Sequence, residues 1–442
     1  MGNTWGASSC GSNELRTKVA GPSKRASLKV VHRHGPCSPL KQSKEETPTP
    51  AEILKQDQAR VKSIHNRFSK SLSSDDVTEP DASTNIPAKS GSTVGSGNYV
   101  VTVGLGTPKK DLTLIFDTGS DLTWTQCQPC ARSCYKQNEP IFDSSQSRTY
   151  SNVSCSSAIC SELAAATGNT PGCSVSTCVY GIQYGDQSFS VGFFGKERLT
   201  LTPRDLFGGF LFGCGQNNQG LFGSSAGLLG LGRNQLSIVQ QTATKYGRVF
   251  SYCLPSNSSS TGHLTFGKGS IGASKAVQFT PLSKSSDGTS FYGLDIVGIS
   301  VGGRKLPIQA SVFSAGGSII DSGTVITRLP PAAYSSLRTS FRQAMKNYPM
   351  TSALSILDTC YDFSKYSTVS FPKIAFSFGG DVNVDLDASG VFYVQSVSQV
   401  CLAFAGNNDT SDVAIFGNIQ QRRLEVVYDV AGGRVGFGPA GC

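Results

Sequence analysis

The sequence has few charged side chains and no long hydrophobic run. Lys, Arg, Asp and Glu make up 16% of the 442 residues, which is low for a helix-rich protein. Hydrophobic residues make up 38%, enough to build large cores, so a disordered or fibrous chain is excluded. The apolar runs stay far below the roughly 18 residues of a membrane-spanning helix. We therefore expect no membrane span and, with 49 glycines, a fold of strands and turns.

Histidine is also scarce, which limits metal and hydrolase chemistry. His263 is the one histidine after residue 95, so serine and cysteine hydrolase sites lack a complete set of partners there. Twelve of the 14 cysteines lie between Cys127 and Cys442, an even set that indicates disulfides in an oxidising compartment. Cys127, Cys130 and Cys134 could instead begin a zinc site, but no second close CxxC pair completes it. We expect disulfides, no metal and no cofactor.

Positive charge is concentrated in residues 1–95, which we call the leader. This segment carries 14 basic and 9 acidic residues of a chain whose net charge is +9. From Glu52 to Leu72, apolar side chains recur at helical spacing and predict a basic amphipathic helix. The apolar positions are Leu54, Val61, Ile64, Phe68 and Leu72, and the cations expected on the remaining surface are Lys55, Arg60, Lys62, Arg67 and Lys70.

Two interpretations of this helix are open. It is either a helix packed on the body with solvated cations, or a removable inhibitory segment whose cations face an acidic cleft. The Ser/Thr/Pro/Gly-rich stretch Ser73–Ser96 predicts a linker at the end of the leader.

The rest of the chain is predicted to be mainly β. Runs rich in β-formers, separated by glycine turns, are Tyr99–Gly106, Leu112–Asp117, Phe291–Val301 and Leu424–Phe437. Helices are expected at Pro331–Tyr348, which begins with proline, and at Gln235–Tyr246. The expected domains are the leader (1–95), an N-terminal β lobe (96–275) and a C-terminal β lobe (276–442).

An internal repeat carries the functional signal. Leu114–Ser120 reads LIFDTGS and is followed by Leu228–Gly230; Ser318–Thr324 reads SIIDSGT and is followed by Ile415–Gly417. Each half thus has an apolar run that delivers one aspartate into a turn, and a second apolar-Gly element about a hundred residues later. A single such turn is common, but two in matching context predict two similar lobes that each contribute a carboxylate.

Two close carboxyls supply the chemistry of peptide hydrolysis. One must act as a base that activates water and the other as an acid that protonates the amide. Because two neighbouring carboxylates cannot both ionise cheaply, they share a proton and act best at acid pH. We expect Asp117 and Asp321 to form this pair, with Ser120 and Thr324 donating hydrogen bonds to the outer oxygens.

These residues resemble the pepsin-like aspartic endopeptidases, specifically the plant nepenthesin-type branch. The resemblance covers nearly everything from Gly97 to Cys442 and rests on Asp117–Cys127 (DTGSDLTWTQC), Asp321–Thr324 (DSGT) and Ile415–Gln421 (IFGNIQQ). It implies an all-β bilobal fold with a central cleft, few short helices and a partly helical propeptide.

The resemblance also implies roles for individual residues. Asp117 and Asp321 would be catalytic, and the neighbouring turn residues would support them: Thr118, Gly119, Ser120, Ser322, Gly323 and Thr324. Thr118 and Ser322 would cross-link the two turns, while Tyr184 would be the tyrosine of a flap that closes over substrate and bonds toward Trp124. The flap positions are Tyr184, Gly185 and Asp186. The family pattern would pair Cys127 with Cys130, Cys134 with Cys214, Cys155 with Cys178, Cys160 with Cys173, Cys253 with Cys442, and Cys360 with Cys401.

The expected activity is thus endopeptidase action on polypeptides, by a monomer made as a zymogen. A lysine of the leader would lie near the carboxyl pair, and His32, His34 and His65 would add repulsion at acid pH. Two alternatives remain: a catalytically inert inhibitor or binding protein on the same fold, and a DNA-associated chloroplast protease that binds DNA through the basic leader.

Localisation signals are mixed. Met1–Ala20 has no apolar core of a signal peptide, whereas the cysteines and the sequons at Asn152, Asn257 and Asn408 favour export. We expect the secretory pathway, the extracellular space or the vacuole, with the chloroplast as the alternative.

Overall fold

A computed structural model describes residues 25–40, 48–72, 99–184, 187–220, 222–256, 260–267, 276–284, 290–439 and 442. Within these ranges the chain forms 29 strands and seven α-helices, most of the helices being short. The prediction of a mainly β fold with few helices is confirmed. The expected linker Ser73–Ser96 lies outside the described residues.

The leader contributes one strand and one long helix, β1 (Ala26–His32) and α1 (Pro50–Leu72). The helix starts two residues earlier than predicted, because Thr49 caps it. Glu52 N donates to Thr49 Oγ1 (3.3 Å), and Glu52 Oε2 accepts from Thr49 N (2.8 Å), which is a capping box ahead of a proline at the first helical position. Among the described residues, no helix has the length and apolar content to cross a membrane.

The N-terminal half is built mostly from strands. They are β2 (Tyr99–Leu105), β3 (Lys110–Asp117), β4 (Trp124–Gln128), β5 (Phe142–Asp143), β6 (Ser151–Asn152), β7 (Gly172–Ser174), β8 (Thr177–Gln183), β9 (Phe189–Thr202), β10 (Asp205–Gln219), β11 (Gly227–Gly230), β12 (Val249–Cys253) and β13 (Thr261–Phe266). The helices are α2 (Ala158–Ser161), α3 (Leu163–Thr167), α4 (Ile238–Gln241) and α5 (Ala243–Tyr246), the last two replacing the single helix predicted at Gln235–Tyr246.

The C-terminal half has the same character. Its strands are β14 (Gln278–Pro281), β15 (Tyr292–Gly293), β16 (Ile296–Val301), β17 (Arg304–Lys305), β18 (Ser318–Ile320), β19 (Thr327–Leu329), β20 (Met350–Thr351), β21 (Cys360–Tyr361), β22 (Ile374–Phe378), β23 (Val382–Asp385), β24 (Phe392–Ser396), β25 (Gln399–Leu402), β26 (Phe404–Gly406), β27 (Ala414–Phe416), β28 (Leu424–Asp429) and β29 (Arg434–Pro439). Its helices are α6 (Ser311–Ser314) and α7 (Pro331–Ala344), the latter ending four residues before the predicted Tyr348.

One large sheet joins the halves and includes the leader strand. Its order is β14-β29-β28-β12-β13-β1-β2-β3-β11-β4-β10-β9-β8-β7. Strand β1 is antiparallel to both neighbours, with Leu28 opposite Leu264 of β13 and Val31 opposite Val100 of β2. The leader is therefore part of the central sheet.

The two copies of the internal repeat have matching topology. In the first, β11 runs parallel to β3, with Gly230 opposite Asp117, and antiparallel to β4. In the second, β27 runs parallel to β18, with Ile320 opposite Phe416, and antiparallel to β19. Each aspartate turn therefore leaves a strand that is held against the later apolar-Gly element, as the sequence repeat implied.

Helix α1 packs through its apolar face onto the C-terminal half. Leu54 is buried with Val325, Ile326 and Ile419, while Val61, Ile64 and Phe68 bury against Phe291, Ile319, Val413 and Ile415. Burial of each large side chain contributes roughly 1.5–3 kcal/mol relative to exposure. The helix is thus fixed across the second aspartate turn and its supporting strands.

The disulfides correct four of the six expected pairings. The pairs Cys253–Cys442 and Cys360–Cys401 are confirmed. The four other predicted pairs, Cys127–Cys130, Cys134–Cys214, Cys155–Cys178 and Cys160–Cys173, are wrong. The structure instead joins Cys127–Cys214, Cys130–Cys134, Cys155–Cys173 and Cys160–Cys178.

Burial explains the observed pairing. Cys127 and Cys214 are buried on the adjacent parallel strands β4 and β10, so their sulfurs meet inside the core. Cys160 and Cys178 are also both buried, whereas Cys173 lies on the surface and pairs with the partly exposed Cys155. In these four pairs buried cysteines therefore pair with buried ones and exposed or partly exposed cysteines with each other, which sequence spacing cannot reveal.

Candidate active site

The two aspartate turns meet at the interface of the halves. Asp117 ends β3, and its carbonyl accepts a hydrogen bond from Leu231 N at 2.9 Å. Asp321 directly follows β18, and its N–H donates to Phe416 O at 3.2 Å. Both side chains are buried. The strands of the repeat thus hold both turns rigidly at their C-terminal ends.

A reciprocal pair of hydrogen bonds ties the turns together. Thr118 N donates to Ser322 Oγ at 3.1 Å, and Ser322 N donates to Thr118 Oγ1 at 2.8 Å. Both residues are buried, so neither hydroxyl exchanges its partner for water at low cost. This is the cross-link that the resemblance implied for Thr118 and Ser322.

The carboxylates are held by matching contacts and face each other. Gly119 N donates to Asp117 Oδ1, and Gly323 N donates to Asp321 Oδ1, both at 3.0 Å. A Cβ added at Gly323 would lie 2.5 Å from Asp117 Oδ1, and one at Gly119 would lie 2.9 Å from Asp321 Oδ1. Each glycine therefore leaves the space into which the carboxylate from the other half fits.

The outer carboxylate oxygens of Asp117 and Asp321 have different hydrogen-bond environments in the two turns. Thr324 Oγ1 donates to Asp321 Oδ2 at 2.5 Å, as expected. Ser120, at the matching position of the first turn, is buried, but its Oγ has no geometric hydrogen-bond partner among the described residues. The Ser120 hydroxyl nevertheless lowers the pKa of Asp117, so it acts on that carboxyl although the expected bond lacks regular hydrogen-bond geometry.

Residues of the closing element Ile415–Gln421 brace the second turn. Asn418 Nδ2 donates to Ser322 O at 2.9 Å, and Gln421 Nε2 donates to Asp321 O at 3.2 Å. Tyr252 Oη of the N-terminal half in turn donates to Gln421 Oε1 at 2.6 Å. The sequence marked Ile415–Gly417 as part of the internal repeat and the rest of the element for its resemblance alone. The contacts show that Asn418 and Gln421 hold the backbone of the second aspartate turn.

A leader cation lies between the two carboxylates. Arg60 Nη2 contacts Asp117 Oδ1 at 2.7 Å and Asp321 Oδ1 at 3.0 Å, so one nitrogen bridges both aspartates. Arg60 Nη1 donates to Asp117 Oδ2 (3.2 Å) and Nε to Asp321 Oδ2 (3.0 Å). The Arg60 side chain is 11% exposed, and the side chains of Asp117 and Asp321 are 2% and 0% exposed, so the cluster is largely shielded from solvent.

The placement of Arg60 corrects the expectation from the sequence. Arg60 was one of the cations expected on the non-apolar surface of the helix, which the second interpretation turns toward an acidic cleft, but a lysine was expected near the carboxyl pair. The structure places an arginine there, and its planar fork of donors suits two carboxylates better than the point charge of a lysine.

The cation changes the protonation of the pair. Burial raises the pKa of Asp117, but the Arg60 guanidinium and the Gly119 N–H outweigh burial and hold that pKa below its ordinary value. Burial lowers the pKa of Arg60, yet the two aspartates raise it above the ordinary arginine value. With α1 in place the Asp117 carboxylate is therefore ionised, and the Arg60 cation neutralises it.

An aromatic group packs in the N-terminal half around β4, the strand that follows the first aspartate turn. Trp124 Nε1 donates to Tyr184 Oη at 2.8 Å, the bond expected between these residues, and both rings make edge contacts with Phe222. Tyr184 follows β8, so it stands at the tip of the β8–β9 hairpin. The expected flap residues Gly185 and Asp186 lie outside the described residues.

A second leader contact was not anticipated. Asp57 lies about one helical turn before Arg60 in α1. Its carboxylate is buried and forms an ion pair with Arg328. A signal for it exists in the sequence, because Asp57 is three residues after Leu54 and four before Val61, in the middle of the apolar helix face. A carboxylate at such a position requires a buried cation or donors as partner.

Comparisons with known proteins find relatives over most of the chain. Family models described as xylanase inhibitor N-terminal and C-terminal match residues 99–268 and 291–439. An aspartyl protease family protein of Arabidopsis thaliana is 65% identical over 418 residues, which cover 95% of this chain and 88% of that protein. Aspartic proteinase nepenthesin-1 of Nepenthes gracilis is 38% identical over 359 residues, 79% of each chain.

A solved structure supports the fold alone. Basic 7S globulin from soybean has a TM-score of 0.61 at 21% identity, covering 77% of this chain and 91% of that chain.

The cross-link between the turns predicts a stability change. Thr118→Val keeps the side-chain shape but removes the acceptor of Ser322 N, so a buried N–H is left unpaired. We expect a loss of about 1–3 kcal/mol in the free energy of unfolding, measured by urea denaturation of the full chain.

Thr125→Val is the matched control. Its hydroxyl donates to Ala226 O, which keeps a second bond from Gln126 N at 2.9 Å, so no group is orphaned. If both variants lose the same free energy of unfolding, the Thr118–Ser322 cross-link contributes no more to stability than an ordinary buried hydroxyl.

Proposed function

Because the chain belongs to the nepenthesin-type aspartyl protease family of plants, we propose that it is an aspartic endopeptidase that acts on polypeptides at acid pH. The observation that carries the proposal is the meeting of Asp117 and Asp321 in one buried, symmetric site. The relatives named as aspartic proteases support a peptidase.

The mechanism follows from the pair once Arg60 has left. With the cation gone, the two carboxyls share one proton, since two adjacent like charges are unfavourable. The ionised carboxyl takes a proton from a water whose oxygen attacks the peptide carbonyl carbon, while the protonated carboxyl donates to the carbonyl oxygen. Proton transfer to the amide nitrogen then breaks the C–N bond. The glycine N–H bonds and Thr324 keep both carboxyls oriented throughout.

The flap would complete the site. We propose that Tyr184, with Gly185 and Asp186, closes over the bound peptide and excludes water. The hydrogen bond from Trp124 fixes the Tyr184 hydroxyl while the leader is docked.

We further propose that the leader keeps the enzyme latent. Helix α1 covers the second aspartate turn, and Arg60 occupies the space between the carboxylates where the attacking water would bind. Cleavage in the predicted linker at the end of residues 1–95 would free the body, whose lobes we assign to 96–275 and 276–442. The second of the two interpretations of the helix is therefore the one we adopt.

An inert binding protein is the main alternative, since the matching family models carry the name of xylanase inhibitors. We do not favour it, because both carboxylates, both glycines and the Thr118–Ser322 cross-link are present. The DNA-associated alternative is not favoured either, because the Arg60 cation of the leader is committed to carboxylates.

The six disulfides among the described residues fit an oxidising compartment. We propose an exported or vacuolar, monomeric enzyme.

The activity is tested with the leader-free enzyme and a denatured protein substrate at acid pH. Asp117→Asn should lower kcat/KM roughly 10³-fold, because the pair can no longer supply both base and acid. A statine-type inhibitor should block the parent enzyme.

Asp121→Asn is the control. Burial raises the pKa of Asp121 to about 6, so this carboxyl is already protonated at acid pH, and its replacement should keep most of the activity. If Asp117→Asn cleaves as well as the parent, the endopeptidase proposal is wrong and the binding-protein alternative takes its place.

Acid should release the leader, and the signs of the pKa shifts give the window. Burial and the nearby His34, Arg422 and Arg33 lower the pKa of His32 from 6.5 to about 3 in the docked leader. Between these two pH values His32 is protonated in the released leader but not in the docked leader. The contribution of His32 to docking therefore weakens as the pH falls.

Three further groups modify this window. Burial also lowers the pKa of His65, despite Asp412, and Asp117 prefers ionisation while Arg60 is present; both act in the same direction as His32. Asp57 opposes them, because burial raises its pKa. The net effect we propose is release on acidification.

We predict that the full chain gains activity between about pH 6.5 and 3, measured by fluorogenic peptide cleavage before any chain cleavage occurs. His32→Asn should shift the midpoint to lower pH, because one proton acceptor is lost. Arg60→Gln should be active at higher pH than the parent, because the bridge between the carboxylates is broken. Lys62→Gln, an exposed cation of the same helix, is the control; a pH midpoint shared by all four proteins would contradict the leader mechanism.

A further inference from the structure

Arg328 is a buried cation whose carboxylate partner comes from the leader. The Arg328 side chain is 2% exposed, and its Nη2 contacts Asp57 Oδ2 at 2.9 Å. Arg328 Nη1 donates to Ile326 O at 3.1 Å, which fixes the guanidinium against its own strand. In the part of the chain that the structure describes, no other acidic side chain forms an ion pair with Arg328.

Two backbone groups complete the same anion site. Asp57 Oδ1 accepts from Val325 N at 2.6 Å, and Asp57 Oδ2 accepts from Ile326 N at 3.2 Å. A guanidinium and two amide N–H groups thus converge on one carboxylate. All of these donors belong to the segment that follows the second aspartate turn.

The anion site is close to the reacting groups. Val325 and Ile326 are four and five residues after Asp321, and Asp57 is three residues before Arg60. Three residues of helix advance about 4.5 Å, which corresponds to one or two residues of an extended peptide. A peptide bound across Asp117 and Asp321 therefore presents a nearby side chain to Arg328.

Departure of α1 leaves these donors without their acceptor. A buried guanidinium and two buried N–H groups that lose a carboxylate are strongly disfavoured until another anion or water replaces it. A substrate carboxylate restores all three hydrogen bonds, whereas an amide of the same shape cannot neutralise the cation.

We propose that Arg328, Val325 N and Ile326 N form a subsite that selects an acidic side chain, Asp or Glu, one to three residues from the scissile bond. Asp57 of the leader occupies this subsite as an internal substitute for that residue. The proposal rests on the endopeptidase function and names a specificity of the same cleft. Arg328 acts in binding and positioning and takes no part in bond cleavage.

The test uses enzyme from which the leader has been removed after folding of the full chain. Peptides carry Glu or Gln in turn at each of three positions on either side of the scissile bond, with amidated C-termini so that only the test residue supplies a carboxylate. At about pH 5.5 we expect kcat/KM to favour Glu over Gln at least tenfold at one position. The preference should disappear near pH 3, where the peptide carboxyl is protonated.

Variants assign the preference to the cation. Arg328→Met should reduce the Glu/Gln ratio to about one, and Arg328→Lys should retain part of it. Because each ratio is measured on one protein, a change in the amount of folded enzyme does not affect it. Arg342→Met, which removes a partly exposed arginine of the same half, is the control and should leave the ratio unchanged.

Glu/Gln ratios below about threefold at every position, or a preference that survives in Arg328→Met, would overturn the subsite.

If no peptide is cleaved at all, the endopeptidase function fails instead, and the anion site is then tested by binding of a labelled peptide of residues 48–72. Asp57→Asn in that peptide should weaken binding tenfold or more to the parent but not to Arg328→Met; equal weakening, or none, would overturn the site.

Discussion

The close approach of Asp117 and Asp321 is the constraint on which the rest of the structure depends. Two buried carboxylates can face each other only if they share a proton or if a cation lies between them. In the intact chain Arg60 supplies that cation, with one nitrogen in contact with both aspartates. The same close approach makes the pair a binding site for a guanidinium, and in the function that we propose, latency and catalysis are alternative states of one electrostatic arrangement.

The strands and hydrogen bonds around the two turns hold Asp117 and Asp321 close together. Each aspartate ends or follows a strand that is locked to a later apolar-Gly element, and the two turns are joined through Thr118 and Ser322. The leader exploits the same framework. Its strand β1 lies between β13 and β2 in the central sheet, and its helix buries against the strands of the second turn. Asp57 of the leader accepts hydrogen bonds from Arg328 and from the backbone N–H groups of Val325 and Ile326. We propose that an acidic substrate residue accepts the same hydrogen bonds once the leader has been removed.

Much of the site could be predicted from the sequence because turn chemistry is local. Asp, Gly and a hydroxyl residue in two matching contexts specify the paired turns, and glycine is required where the other carboxylate approaches. Four of the six disulfides were predicted wrongly, because their pairing depends on which cysteines share a buried environment, as Cys160 and Cys178 do. The identity of the cation that reaches the carboxyl pair was missed for a related reason: helical spacing places Arg60 beside the apolar face but does not say how far along the cleft the helix docks.

Covalent labelling of the carboxyl pair tests the central claim most directly. A small epoxide that esterifies active-site carboxyls would be applied to the full chain at neutral pH and to the leader-free protein at acid pH, followed by peptide mapping with mass spectrometry. We expect no label at Asp117 or Asp321 while Arg60 bridges them. In the leader-free protein we expect at most one label per molecule on the pair, because the two carboxyls act as a unit. Equal labelling with and without the leader, or simultaneous labels on both aspartates, would contradict the proposed roles of the carboxyl pair and of Arg60.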